Sequence, residues 1–215
     1  MDSKRSVTVL ISGRGSNLRA LIQRQDSYKI CAVVSNTSDA LGLEIAREHS
    51  IPAIVVTRDG YPTLGSFKQG ILAAVKDTSP DLVALAGFMM LLQPEFVASF
   101  PNRIVNIHPS LLPRFPGLDT HAQALKANAT EHGCTVHIVD NGLDSGPILT
   151  QSALTVDRSD DPDTLSARVL QLEHRLYPWT VSMFAKGEIK VSRREIVYSS
   201  AARAEAAEHG FSLPA

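Results

Sequence analysis

Three features of the sequence predict an α/β fold, a Rossmann-like open and mostly parallel sheet with helices on both faces. Short β-branched runs alternate with helical patterns at the spacing of βαβ units. The run Asp81 to Gly87 is almost continuously apolar, as a central strand covered on both faces must be. Glycine- and proline-rich turns follow several strands, and such sheets place their ligands at the carboxyl ends of strands.

Composition narrows the classes further. A chain of 215 residues with 44% hydrophobic and 20% charged residues is ordinary for a globular protein and excludes disorder and fibrous repeats. At this length one core can bury roughly 70% of the unfolded surface, so a single domain over 1–198 is expected, with an Ala- and Glu-rich tail over 199–215 that frays. The net charge of -1 gives no reason to expect nucleic acid or an anionic membrane as a partner. Cys31 and Cys134 are far apart and read as reduced thiols, which fits a cytoplasmic location. The N-terminus has too few apolar residues for a signal peptide, and the longest apolar run, Leu82–Leu92, is too short to span a bilayer.

The chain opens with a strand over Val7–Ile11 that runs into Ser12-Gly13-Arg14-Gly15-Ser16-Asn17, and a helical pattern on Leu18, Leu21 and Ile22 follows. Backbone N–H groups of Gly15, Ser16 and Asn17 could receive a phosphate; equally, this could be a tight turn. Lys29–Ser35 is a second strand, 39–49 a helix, and 52–56 a short third strand. Asn36 stands where a dinucleotide enzyme would carry a ribose-binding acid, which weakens that reading. A loop over 57–64 leads to a helix over 66–76 with Phe67, Ile71 and Val75 on one face.

After the central strand comes Phe88-Met89-Met90-Leu91-Leu92, which could line a flat ligand or could be ordinary core. The next strand, Arg103 to His108, carries Asn106 and His108 on one face and Val105 and Ile107 on the other, and Pro109 stops it. An amide that can donate to an oxyanion beside an imidazole suits acyl-group chemistry; a polar cap on a loop is the alternative. A helix is expected over 117–128, a turn over 130–133 and a strand over 134–139, in which His137 makes a satisfied hydrogen bond. His132, Cys134 and His137 lack zinc-ligand spacing, so no metal is expected. Asp144 lies on the glycine-bracketed loop 140–147, either aimed at a neighbouring histidine or serving an Asx turn. Asp161-Pro162-Asp163 starts a long helix to about Lys186. Its stripe of Leu165, Val169, Leu172, Leu176, Trp179 and Met183 puts Glu173 at the edge and leaves His174 solvated.

Taken together, the Gly15-Ser16-Asn17 turn, Asn106-x-His108-Pro109-Ser110-Leu111-Leu112-Pro113, Pro116-Gly117 and Leu143-Asp144-Ser145-Gly146-Pro147 resemble the phosphoribosylglycinamide formyltransferase family, folate-dependent enzymes, over nearly the whole chain. The resemblance implies formyl transfer from 10-formyltetrahydrofolate, as co-substrate, to the amine of glycinamide ribonucleotide, without a metal, by a monomer or homodimer. It implies that Asn106, His108 and Asp144 are catalytic and that Gly15, Ser16, Asn17 and Glu173 hold the nucleotide. It further assigns Met89, Met90, Leu91, Leu92 and Asn106 to the folate. Two positions depart from the family pattern: Leu64 and Met90 stand where members often carry arginine, so recognition of the folate tail is expected to differ. Within the same chemistry the rival is a formyltetrahydrofolate hydrolase; outside it, a non-catalytic nucleotide-binding module.

Overall fold

The computed structural model describes residues 4–192 and 195–214. They divide into two compact units, one up to Val105 and one from Asn106, where a single domain over 1–198 is expected from length. The division falls inside one strand. A seven-stranded, mostly parallel sheet has the order β3-β2-β1-β4-β5-β6-β7.

In the first unit the predicted alternation appears as β1 (Arg5–Ile11), α1 (Ser16–Ile22), β2 (Tyr28–Ser35), α2 (Gly42–Glu48), β3 (Ala53–Val55), α3 (Leu64–Asp77) and β4 (Leu82–Leu85). β1 pairs parallel with both β2 and β4, and β2 with β3. The chain therefore leaves β1 to one side and returns on the other, which makes the carboxyl ends of β1 and β4 a topological switch point. α3 starts in a capping box, with the Thr63 hydroxyl accepting from Ser66 N, and buries Phe67, Ile71, Leu72 and Val75.

Helix α2 begins at Gly42 rather than near residue 39, because its first turn packs against the glycine turn after β1. A Cβ on Gly15 would lie 2.6 Å from Gly42 Cα, so the close approach needs glycine at Gly15, which also has φ +76°. Helix α4 (Pro94–Ser99) has no counterpart in the sequence reading; Pro94 opens it, and Phe96 and Phe100 stack at 5.5 Å and bury its inner side. β5 (Ile104–His108) has the predicted alternation, with Asn106 half-buried and His108 buried.

The second unit contains α5 (Thr120–Lys126), β6 (Glu131–Ile138), β7 (Ile148–Thr155), α6 (Pro162–Lys186), β8 (Ile189–Ser192), β9 (Glu195–Tyr198) and α7 (Ser200–His209). Residues 130–133, read as a turn, largely belong to β6: His132 and Gly133 pair with Leu154 and Ala153 of the antiparallel β7. Gly133 permits that pairing, since a Cβ there would meet the Ser152 carbonyl oxygen at 2.0 Å. α6 carries the predicted Asp161 cap and its apolar stripe. Glu173 is buried rather than at an exposed edge, and His174 is half-buried rather than solvated, its Nε2 enclosed by protein.

The tail expected to fray is ordered over its described residues. The Ser199 hydroxyl caps α7 by accepting from Ala202 N, Ala202 and Ala206 are buried, and Gly210 (φ +71°) ends the helix. Phe211 then packs on Trp179 with ring centroids 5.2 Å apart, while Trp179 Nε1 donates to Glu205. Alanine-rich composition conceals this, because small residues bury little area each yet let a helix approach closely. Phe211→Ala is expected to cost about 3 kcal/mol by the usual burden of a truncated core aromatic, measured by urea unfolding; a frayed tail would show no change.

Candidate active site

In the first unit, the end of β1 is tied to the end of β4 by one serine. Ser12 N donates to the Gly87 carbonyl (3.1 Å), Ser12 Oγ accepts from Met89 N (2.8 Å), and the same hydroxyl donates to Asn36 Oδ1 (2.6 Å). Asn36 thus has a structural task at the end of β2. The glycine turn that follows places Gly15 at the N-cap of α1, with Ser16 half-buried and Asn17 buried. After Gly87 the apolar segment is not core: Met89 is 72% and Leu91 64% exposed, and Met90 and Leu92 are half-buried. Large apolar side chains are thus exposed at the switch point.

The second unit brings the three predicted polar residues together. His108 Nδ1 lies 3.4 Å from Asp144 Oδ2, and its Nε2 is 3.0 Å from the Phe115 carbonyl oxygen, to which it donates. Both nitrogens face acceptors, so the ring is satisfied in full only as the imidazolium. Asp144, which the sequence left open as an Asx-turn residue, is free of that duty. Asp140 makes the turn, its Oδ1 accepting from Gly142 N and Ser145 Oγ. Asp144 instead accepts from Gly117 N at 2.8 Å and sits at φ +49°, a left-handed conformation costly for a non-glycine residue.

His137 is the residue that sequence reasoning passed over. It is satisfied, as expected, but by the site itself: its Nδ1 is 3.0 Å from the Ile138 carbonyl and its Nε2 3.0 Å from Asn106 Nδ2. A carbonyl partner makes Nδ1 the donor, so Nε2 accepts from the amide and the ring is neutral. Burial pushes the charged form of His137 down, in agreement, although Asp144 Oδ1 at 3.7 Å pulls the other way. His137 thereby fixes which way the Asn106 amide points. The signal in sequence was a histidine at the end of a strand; which strand lay beside it could not be read.

The loop after His108 folds back on strand β6. Thr135 Oγ1 donates to the Ser110 carbonyl and accepts from Leu112 N, while Ser110 Oγ donates to the Arg114 carbonyl and Thr120 Oγ1 to that of Pro109. Under the loop, His121 Nδ1 meets His132 Nε2 at 3.1 Å. Burial, then the nearby His121 and Arg114, push His132 down to about 4; His121 is lowered by burial and by His108. Glu173 is buried in α6, close enough to Cys134 that its charge, after burial, helps raise that thiol. Among the described residues no group of three or more His, Cys, Asp or Glu is arranged to hold a metal ion, and no helix is long and apolar enough to cross a membrane.

These histidines set a pH dependence. His121, His132, His137 and His174 all bind protons less readily folded than unfolded, so the unfolded chain gains protons first as pH falls through about 6.5. Stability should therefore decline from about pH 6.5 towards 4. Urea midpoints at several pH values will show it, and His132→Asn should flatten the slope; a flat profile in the parent chain would contradict the assignment.

Comparison with known proteins finds relatives over most of the chain. The formyl transferase family model matches residues 5–181. The chain is 42% identical over 190 residues to phosphoribosylglycinamide formyltransferase of Escherichia coli (strain K12), covering 86% of this chain and 90% of that protein. It is 41% identical over 192 residues to the human trifunctional purine biosynthetic protein adenosine-3, covering 87% of this chain but 19% of that protein. Among solved structures, glycinamide ribonucleotide transformylase 1 from Symbiobacterium toebii superposes with a TM-score of 0.89 at 38% identity, covering 93% of this chain and 96% of that one.

Proposed function

The chain belongs to the formyl transferase family, and on that footing we propose that it moves the formyl group of 10-formyltetrahydrofolate onto the amine of glycinamide ribonucleotide, a step of purine synthesis. The observation that carries this reading is the convergence of Asn106, His108 and Asp144 in one cluster, with His137 orienting the amide. The names of the relatives supply the acceptor and the formyl group; the folate donor rests on the sequence resemblance, and the cluster supplies the chemistry.

In this reading the substrate amine attacks the formyl carbon, a C–N bond forms, and the carbonyl electrons move to oxygen. One Asn106 N–H is given to His137, and the second can meet that oxyanion. The His108 imidazolium is the other donor, and to reach the oxyanion it must exchange its Phe115 carbonyl partner for substrate. Collapse of the tetrahedral intermediate breaks the bond to the folate nitrogen. His108 gives its own proton to that nitrogen as it leaves and then takes up the proton lost by the amine, which restores the imidazolium, while Asp144 stays a carboxylate beside the ring.

The family resemblance supplies the binding roles in this reading. Gly15, Ser16 and Asn17 hold the phosphate and Glu173 the ribose; Met89 to Leu92, with Asn106, take the folate. Leu64 and Met90 offer no cation to a glutamate tail, so tail recognition differs from that of members with arginine at these positions. The protein works as a cytoplasmic monomer or homodimer.

His108→Ala should lower kcat about 10²- to 10⁴-fold, the usual share of a general acid-base, with nucleotide affinity near that of the parent. Turnover within a few-fold of the parent would sink the assignment. Mixing protein with the formyl donor, with and without glycinamide ribonucleotide, tests the reaction itself. Donor should be consumed only when the amine is present; consumption without it would identify a hydrolase.

A further inference from the structure

Gln151, on β7, lies outside the catalytic cluster, yet its side chain reaches the loop that carries Phe115. Its Nε2 donates to the Leu112 carbonyl at 2.8 Å and to Thr135 Oγ1 at 2.9 Å. Thr135 Oγ1 is fully buried and then saturated, with Leu112 N and Gln151 donating to it and its own proton given to the Ser110 carbonyl. Three backbone groups of residues 110–112, directly after His108, are therefore held by two side chains. The backbone of Gln151 is itself clamped: its N–H donates to the Ser212 carbonyl at 2.9 Å, and Ser212 N–H donates back to its carbonyl at 2.8 Å. Both residues involved in this clamp belong to one unit, and Ser212 lies beyond the stretch matched by the family model.

We propose that Gln151 is a positioning residue for formyl transfer, acting through Thr135 and Leu112 to set the loop whose Phe115 carbonyl orients His108, with the chain end as its brace. The inference rests on the function proposed above. Gln151 touches no reacting atom; what it sets is the register of the loop 110–115. A loop slack by a fraction of an ångström would let Phe115 hold His108 in more than one starting orientation, so fewer complexes have the ring aligned when it exchanges that carbonyl for substrate, which lowers kcat and leaves ground-state binding alone.

The test uses the full chain with Gln151→Leu, Thr135→Val and the double variant. Gln151→Leu should lower kcat about tenfold with KM for both substrates within twofold and thermal midpoints nearly unchanged. The double variant should lose no more than the worse single one, because both act on one set of hydrogen bonds. A rise in KM at unchanged kcat, additive losses, or activity that falls only with the thermal midpoint would overturn it. A substrate-free readout separates this from the parent reading: in ¹⁵N spectra the His108 ring nitrogens should shift in Gln151→Leu. Unshifted signals reject the brace even if the parent enzyme transfers formyl, and a shift upholds it even if the acceptor proves to be another amine.

Discussion

One largely enclosed carboxylate organises the polar cluster of the second unit. Asp144 is mostly enclosed, and a charge so placed is costly unless every lone pair finds a donor. It finds the Gly117 amide and the ring of His108, while the neutral His137 lies beside it at 3.7 Å without donating. Those contacts tie together the loop after β5, the loop after β6 and the end of β5, so the geometry of His108 follows from satisfying a single anion. The left-handed backbone at Asp144 is the strain that this arrangement accepts. Removing the carboxylate would release the loop as well as the charge.

The two histidines beside it divide their labour by environment rather than by chemistry. His137 has one carbonyl and one amide as partners and is neutral, a rigid spacer for Asn106. His108 faces two acceptors, the Phe115 carbonyl and Asp144. Residue type alone made them equivalent; their partners separate them.

The strands and the longer helices were legible because period-two and period-3.6 patterns are local: β1, β2, β4, β5 and α6 lie close to where the residues put them. The pairing of Asn106 with His108 on one face followed from strand alternation. The Gly15 turn was legible as a turn, and its contact with Gly42 was not. His137, Thr135 and Gln151 escaped because their roles depend on which strand lies beside which, and a sequence fixes no neighbours of that kind. Helix α7 escaped for a different reason. Its alanines look like weak core, and Phe211 and Ser212, which anchor the segment, come after the helix has ended.

β7 is the last strand in the sheet order, and an edge strand offers unpaired amides and carbonyls to any other chain that can extend alongside it. Ser212 occupies the outward pair at Gln151, and the ring of Phe211 anchors the residue before it. The segment at Ser212 thus serves as a guard against intermolecular strand addition. Loss of the last few residues would then be felt first as aggregation during folding, at concentrations where the intact chain stays in solution.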